Sequence, residues 1–192
     1  MTVLRQWDTI DIVMTDLILL ATLFAGPRHG YALKKQAGLL FTDNPVHNNL
    51  VYPLLRRFVE NGWVARKAAK GLRGQTREVY SITAKGRAEL LRRLAAFGEK
   101  EAASEAEFRL RVGLFSLLEP ETRLRILAER ERRLAARDAR CAQLEEGVNL
   151  GEWGGEVVRF LRRQTRRERE WIASLEAKAK RGGRRSGERG KA

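Results

Sequence analysis

The chain has little of what metal sites and disulfide scaffolds require. It contains one cysteine, Cys141, and two histidines, His29 and His47, among 192 residues. One cysteine excludes an intramolecular disulfide and a multi-cysteine zinc site, and two histidines leave little material for a histidine-based metal centre. We therefore expect neither a metal nor a cofactor.

Long hydrophobic runs are also missing. The nearest approach to a membrane segment, residues 17–27, has eleven uncharged residues, whereas a spanning helix needs about 20. Asp8, Asp11 and Asp16 outweigh Arg5 where a signal peptide would be positive. We expect a cytoplasmic protein without a membrane partner.

Motifs typical of enzymes are absent as well. The sequence has no glycine-rich phosphate loop ending in Gly-Lys-Ser/Thr, no His-x-x-x-His pair and no nucleophile elbow. Cys141 falls on the apolar stripe of a predicted helix, where a cysteine is usually a small buried group. We expect a protein that is not an enzyme.

What the chain does have is positive charge, unevenly placed. Its 38 Lys and Arg against 24 Asp and Glu leave a net charge of +14. Residues 1–97 have a net charge of +8, residues 98–176 are neutral with 16 residues of each sign, and residues 177–192 have +6. Such an excess indicates a polyanionic partner for the N-terminal half, while mixed signs are typical of a solvated helical surface.

The first 97 residues alternate between helix and strand patterns. We predict helices over 15–25, capped by Thr15 or Asp16, over 29–40, and over 48–60. Strands follow at 63–66 and 78–82, joined by a basic, glycine-containing tip over 67–77, and Thr83 caps a closing helix through about Phe97.

The remaining chain reads as helical. Ser104 and Glu107 have capping-box spacing ahead of an apolar run to Leu118. A second helix is predicted over 121–146, a glycine-rich loop over 147–155, and a last helix over 156–177. That last helix carries a coiled-coil-like stripe formed by Val157, Phe160, Leu161, Gln164, Glu168, Trp171, Ile172 and Leu175. The chain is thus predicted to divide into a basic N-terminal domain (1–97), a neutral helical domain (98–177) and a disordered basic tail (178–192).

Three helices, a hairpin and a closing helix form the winged helix-turn-helix arrangement, in which the third helix enters the major groove. The fold class predicted is mainly α with a small β-hairpin wing: a winged-helix DNA-binding domain over 1–97 followed by an all-α domain over 98–177. The residues predicted to contact DNA are Lys34, Asn48, Asn49, Tyr52, Arg56, Lys70, Arg73, Gln75 and Arg77. Alternatives remain, since the asparagines could serve as helix caps, Tyr52 as a core aromatic, and the lysine and the wing residues as solvated surface.

Three motifs in order make the chain similar to the PadR family of bacterial transcriptional regulators. They are Pro27-Arg28-His29-Gly30-Tyr31, Tyr52-Pro53-Leu54-Leu55 ahead of Gly62, and Tyr80-Ser81-Ile82-Thr83-Ala84-Lys85-Gly86. The chain departs from the family at Asn49-Leu50, where a small residue is usual, so the preferred DNA sequence cannot be transferred.

The resemblance implies a homodimer that binds an inverted-repeat operator in double-stranded DNA. It also implies a repressor of adjacent genes, released by a small, aromatic effector. The C-terminal helices and residues 3–14 are expected to cross between subunits. We assign no effector-binding residue, because Trp153, Phe160 and Trp171 suit a core or a dimer seam better than a pocket. The alternative is a non-specific RNA- or DNA-binding protein without a ligand response.

Overall fold

The computed structural model describes residues 5–40, 48–70 and 76–189, with side chains within 14–36, 50–69 and 77–181. The chain divides into an N-terminal unit, Met1–Leu94, and a C-terminal unit, Ala95–Ala192. The predicted fold class is confirmed: the chain is mostly helical with a small antiparallel sheet.

The N-terminal unit is built from four helices and three strands. In chain order its elements are α1 (Arg5–Phe24), β1 (Arg28–His29), α2 (Gly30–Leu40), α3 (Asn48–Glu60), β2 (Val64–Lys70), β3 (Thr76–Ile82) and α4 (Ala84–Ala95). The strands form one antiparallel sheet in the order β1-β3-β2. The predicted third helix has the observed bounds of α3.

Helix α1 is the centre of this unit. Every residue from Met14 to Leu20 is buried, including Thr15 and Asp16. The prediction that Thr15 or Asp16 caps the helix is therefore wrong, because α1 begins ten residues earlier, at Arg5. The apolar Ile10, Ile12 and Val13 extend the helical pattern upstream of the expected start.

The hairpin is longer than predicted. Strands β2 and β3 pair over seven positions, from Val64 opposite Ile82 to Lys70 opposite Thr76. The predicted tip over 67–77 was too long because Lys and Ala at the outer positions hide the apolar alternation that marks a strand. Strand β1 was also missed, since two residues carry no pattern. It pairs with β3 and places Arg28 opposite Tyr80.

Tight contacts connect α3, β2 and α4. Gly62 ends α3 with a φ of +70°, a conformation that favours glycine. Thr83 caps α4 as predicted: its Oγ1 accepts the Gly86 N–H at 3.0 Å and donates to the Gly62 carbonyl at 2.7 Å. A Cβ on Gly86 would lie 2.0 Å from the Trp63 carbonyl oxygen. The glycine at this position is therefore a steric requirement of the fold.

The C-terminal unit contains helices throughout. Its elements are α5 (Glu99–Ala103), α6 (Glu105–Gly113), a 3-10 turn (Phe115–Leu117), α7 (Pro120–Gly147) and α8 (Gly151–Arg189). The prediction did not include α5. The predicted capping box is half formed, because Ser104 Oγ accepts the Glu107 N–H at 3.3 Å but the Glu107 carboxylate pairs with Arg111.

The bounds of helix α8 differ from two predictions. It begins at Gly151, so the expected loop over 147–155 is limited to residues 148–150. It also continues to Arg189, so residues 178–189 are helical where we predicted a disordered tail. Ala179 is buried and Lys180 lies 3.9 Å from Glu176 at i,i+4 spacing, which favours helix beyond Ala177.

Helices α7 and α8 pack as a hairpin with seven-residue spacing. The buried positions seven residues apart are Leu127, Leu134 and Cys141 on α7, and Val158, Thr165, Ile172 and Ala179 on α8. Ile126 and Arg130 of α7 are buried as well. The stripe predicted for α8 was partly wrong, because Val158 is buried while Val157 and Phe160 are exposed. A shift of one residue turns a side chain by about 100° around a helix, enough to exchange a buried for an exposed face.

Buried arginine contacts complete this core. Arg130 donates to both carboxylate oxygens of Glu168, at 2.7 and 2.8 Å, and to the Ala102 carbonyl at 2.5 Å. Its guanidinium lies 5.5 Å from the centre of the Phe108 ring, which in turn packs edge-on against Trp171. No helix within the described ranges is long and apolar enough to cross a membrane.

Gly86 offers a direct test of the steric requirement. We expect Gly86→Ala to lower the free energy of unfolding by about 1–3 kcal/mol, the usual cost of overpacking, because the new Cβ meets backbone that cannot rotate away. The measurement is urea unfolding followed by circular dichroism. The control is Gly113→Ala, whose Cβ meets no atom within 4 Å. Equal midpoints for the two variants would contradict the steric explanation.

Candidate nucleic-acid interface

Helix α3 separates its residues into a buried and an exposed face. Its apolar residues Val51, Leu54, Leu55 and Phe58 are buried in the N-terminal unit. Tyr52 and Arg56 lie one turn apart on the opposite face, and Tyr52 is 50% exposed. The exposed face of α3 therefore presents an aromatic ring followed by a cation, and the suggestion that Tyr52 is a core aromatic does not hold.

Two consecutive arginines of α3 have different surroundings. The Arg57 guanidinium donates to the buried Asp16 carboxylate, which binds Arg93 as well. Arg56 is exposed and, within the described part of the chain, has no ion-pair partner. One arginine is thus tied to the core while its neighbour remains available to an external anion.

The start of α2 lies directly against α3. A Cβ on Gly30 would be 3.1 Å from Tyr52 Cε1 and 3.6 Å from Tyr80 Cε2. The pairing of β1 with β3 holds this segment in place, with His29 opposite Val79. Glycine lets the backbone approach both rings, which explains why the His-Gly-Tyr motif belongs to the interface as well as to the turn.

Polar contacts fix the sheet beside these rings. The Tyr80 hydroxyl donates to Glu78 Oε2 at 2.8 Å, and Arg66 Nη1 lies 3.0 Å from Glu78 Oε1. Burial, together with the hydrogen bond to Glu78 and its charge, raises the pKa of Tyr80 to about 12. Tyr80 is therefore a neutral hydrogen-bond donor at physiological pH, and Glu78 offsets the charge of Arg66.

These contacts leave an open groove of about 670 Å³ on the surface of the N-terminal unit. It is lined by His29, Gly30, Tyr31, Ala32, Tyr52, Arg77, Glu78 and Tyr80. Tyr31 is 73% exposed, and Arg77 is exposed at the β3 side. The groove thus combines stacking surfaces with a cation that makes no ion pair among the described residues.

The structure brings together only some of the predicted contact residues. Tyr52, Arg56 and Arg77 are exposed, and Tyr52 and Arg77 line the same groove. Lys34 is half-buried on α2. Asn48 and Asn49 form the first positions of α3, and Lys70 ends β2; their side chains lie outside the described residues, as do Arg73 and Gln75 entirely.

Sequence reasoning missed Tyr31 and His29 as surface residues of the groove. The signal was present in the Pro27–Tyr31 motif, from which we predicted only the resemblance to the PadR family. It also missed Asp16 as the partner of Arg57, since a partner 41 residues away leaves no local pattern.

Helices α2 and α3 followed by the β2–β3 hairpin, to which β1 adds a third strand, define a winged helix-turn-helix fold. In this class the second helix of the motif is the one that enters the major groove. Residues 19–92 match the model of the transcriptional regulator PadR-like family. The chain belongs to this family of transcriptional regulators.

Several solved structures are similar to the chain. A candidate transcriptional regulator of Thermoplasma acidophilum is 30% identical, with a TM-score of 0.40, over 43% of this chain and 78% of that one. PadR of Bacillus subtilis in complex with operator DNA is 17% identical, with a TM-score of 0.39, over 85% and 98%. The same protein with p-coumaric acid is 15% identical, with a TM-score of 0.38, over 88% and 97%. No curated protein sequence matches the chain.

Proposed function

We propose that the protein is a dimeric, sequence-specific DNA-binding repressor that acts on an inverted-repeat operator. The observation that carries the proposal is the exposed face of α3. There Tyr52 lines the groove that also contains Tyr31 and Arg77, and Arg56, one turn on, has no ion-pair partner among the described residues. An α-helix fits the major groove of B-DNA, where each base pair presents a distinct pattern of donors and acceptors.

The direction of α3 suggests which of its residues read bases and which bind phosphate. Asn48 and Asn49 begin the helix, the end that approaches base edges in helix-turn-helix proteins, and an asparagine amide matches the edge of adenine. Arg56 is two turns further on and Glu60 is exposed at the other end. We therefore assign base reading to the two asparagines and phosphate binding to Arg56, with Tyr52 between them.

The wing supplies a second set of phosphate contacts. Arg77 on β3 is exposed and has no ion-pair partner within the described residues, whereas Arg66 is neutralised by Glu78. Lys70, Arg73 and Gln75 at the hairpin tip remain predicted contacts, and so does Lys34. Contacts of this kind orient a protein on the duplex without reading its sequence.

The function is tested by fluorescence anisotropy with the DNA upstream of the protein's own gene. At about 150 mM salt we expect at least a thousandfold preference for that duplex over a random one, the lower end for specific regulators. Equal affinity for both would support the alternative, a non-specific nucleic-acid binder, and comparable affinity for single-stranded RNA would support it further. A promoter–reporter fusion tests repression, since a repressor lowers expression when it is present.

Arg56 gives the sharpest test of the recognition helix. We expect Arg56→Gln to weaken binding to operator and random duplex alike, and to reduce the slope of log affinity against log salt by about 0.9 per subunit. The control is Arg132→Gln, which removes the same charge from an exposed residue of α7 paired with Glu129. An unchanged salt slope would show that Arg56 does not contact phosphate, and an altered base preference would show that it reads bases instead.

The C-terminal unit is proposed to hold the dimer interface. At the end where α7 meets α8, large apolar side chains are exposed: Leu144, Val148, Trp153, Val157 and Phe160. Trp153 is 79% and Phe160 58% exposed. Clustered exposed apolar residues mark interfaces, and a two-fold dimer would present two recognition helices about 34 Å apart.

Phe160 tests this interface. We expect Phe160→Glu to convert the dimer to a monomer, because association would bury a carboxylate without a partner. Arg166→Glu, which places a carboxylate on an exposed position of α8 off the apolar stripe, should leave the dimer intact. Sedimentation velocity measures both, and a dimeric Phe160→Glu would place the interface elsewhere. Release by a small aromatic effector stays a prediction, with no residue assigned to it.

A further inference from the structure

We propose that Asp16 is a positioning residue for DNA recognition, which holds α3 in its reading orientation through Arg57 and keeps Arg57 away from phosphate. The inference rests on the proposed function and deepens it. It assigns a specificity role to a residue that lies inside the N-terminal unit and cannot touch DNA.

The geometry places one carboxylate between three helices. Asp16 on α1 is 2% exposed. Its Oδ2 accepts from Arg57 of α3 and, at 3.0 Å, from Arg93 of α4. Its Oδ1 is buried and has no hydrogen-bond partner among the described residues. A single oxygen atom therefore fixes the relation of the recognition helix to the helices on either side of it.

The Arg93 arm of this cluster is itself immobilised. Its Nε lies 2.6 Å from Glu89 Oε1, and its guanidinium stacks 4.6 Å from the centre of the Trp63 ring. Trp63 contacts Phe58 of α3 with ring centres 5.8 Å apart. Hydrogen bonds from Arg92 and Arg93 lower the pKa of Glu89 to about 2, so it stays charged and continues to hold Arg93. Arg93 thus holds the Asp16 carboxylate in place, and that carboxylate in turn holds Arg57.

The Arg57 side chain is the less constrained member of the cluster. Its side chain is 44% exposed although its guanidinium contacts a buried carboxylate. Arg57 and Arg56 are about 100° apart around the helix axis. Without the anchor, α3 can roll about its axis and Arg57 can swing toward solvent, where a phosphate would attract it.

Burying the Asp16 carboxylate costs free energy, which argues that the cluster does more than hold the three helices together. Burial raises the pKa of Asp16 above its ordinary value even though Arg57 and Arg93 oppose the rise. Apolar residues of similar volume often replace buried ion pairs without loss of stability, and in some proteins such pairs serve conformational specificity instead. Here the specificity would be the orientation of α3.

The test is Asp16→Asn, which keeps the shape and one acceptor oxygen but removes the charge. We expect operator affinity to fall on the order of tenfold, comparable to the loss of one bidentate base contact. Affinity for random duplex should be kept or raised, with a salt slope steeper by up to about 0.9 per subunit, because Arg57 is released to phosphate. A purely structural role would instead lower both affinities by the same factor at equal folded fraction, and that result, or no change in either, overturns the proposal.

A second variant separates release of Arg57 from loss of orientation. Arg57→Gln removes the anchor but releases no cation, so operator affinity should fall while the random-duplex slope stays at the wild-type value. In the double variant the effect of Asp16→Asn on random DNA should vanish, since there is no Arg57 to release. Persistence of that effect contradicts the inference. If Asp16→Asn does not fold, Arg57→Gln alone tests whether the contact between these two residues orients α3.

The proposed function itself is judged on the wild-type protein alone. If wild type does not discriminate between operator and random duplex, the proposed function fails before any variant is compared. If wild type discriminates and the variants keep its ratio of affinities, only the role of Asp16 fails.

Discussion

One buried carboxylate orders the helices of the N-terminal unit. Asp16 accepts from an arginine on α3 and an arginine on α4, so the central helix, the recognition helix and the closing helix meet at a single charge. Because the exposed face of α3 follows from the position of its buried face, this contact also determines which residues a duplex would meet. In the proposed mode of DNA recognition, the interface is therefore specified from inside the fold, by a residue that the duplex would not touch.

Two glycines limit how the backbone of the N-terminal unit can be arranged. Gly86 allows α4 to pass the Trp63 carbonyl, and Gly30 allows α2 to reach the rings of Tyr52 and Tyr80. A methyl group on Gly86 would overlap the Trp63 carbonyl oxygen, whereas one on Gly30 would lie 3.1 Å from the Tyr52 ring and would require that ring to shift slightly. These glycines of the family motifs thus serve close approach between elements, and among the large hydrophobic side chains of the motifs only Tyr31 and Tyr52 are exposed.

Local signals in the sequence were enough to predict α3, the hairpin and the Thr83 cap, because a helix period, a strand alternation and a capping hydroxyl are each confined to a few residues. They failed where tertiary contacts decide. The pairing of Asp16 with Arg57 spans 41 residues, β1 exists only because β3 lies beside it, and α8 buries Val158 rather than Val157. For the candidate site, Tyr52, Arg56 and Arg77 could be predicted from residue type and position. The groove that Tyr31 shares with Tyr52 and Arg77 required the fold.

Two features of the C-terminal unit depart from the usual distribution of charged and apolar side chains. It buries the pairs Glu107–Arg111 and Arg130–Glu168 while Trp153 and Phe160 face solvent. Buried ion pairs seldom add net stability over apolar residues, so the exposed aromatics would have served the monomer better in its core. Their position is understandable if that surface is covered in the functional state. The neutrality of residues 98–176 fits the same reading, because two copies of a strongly basic surface would repel each other.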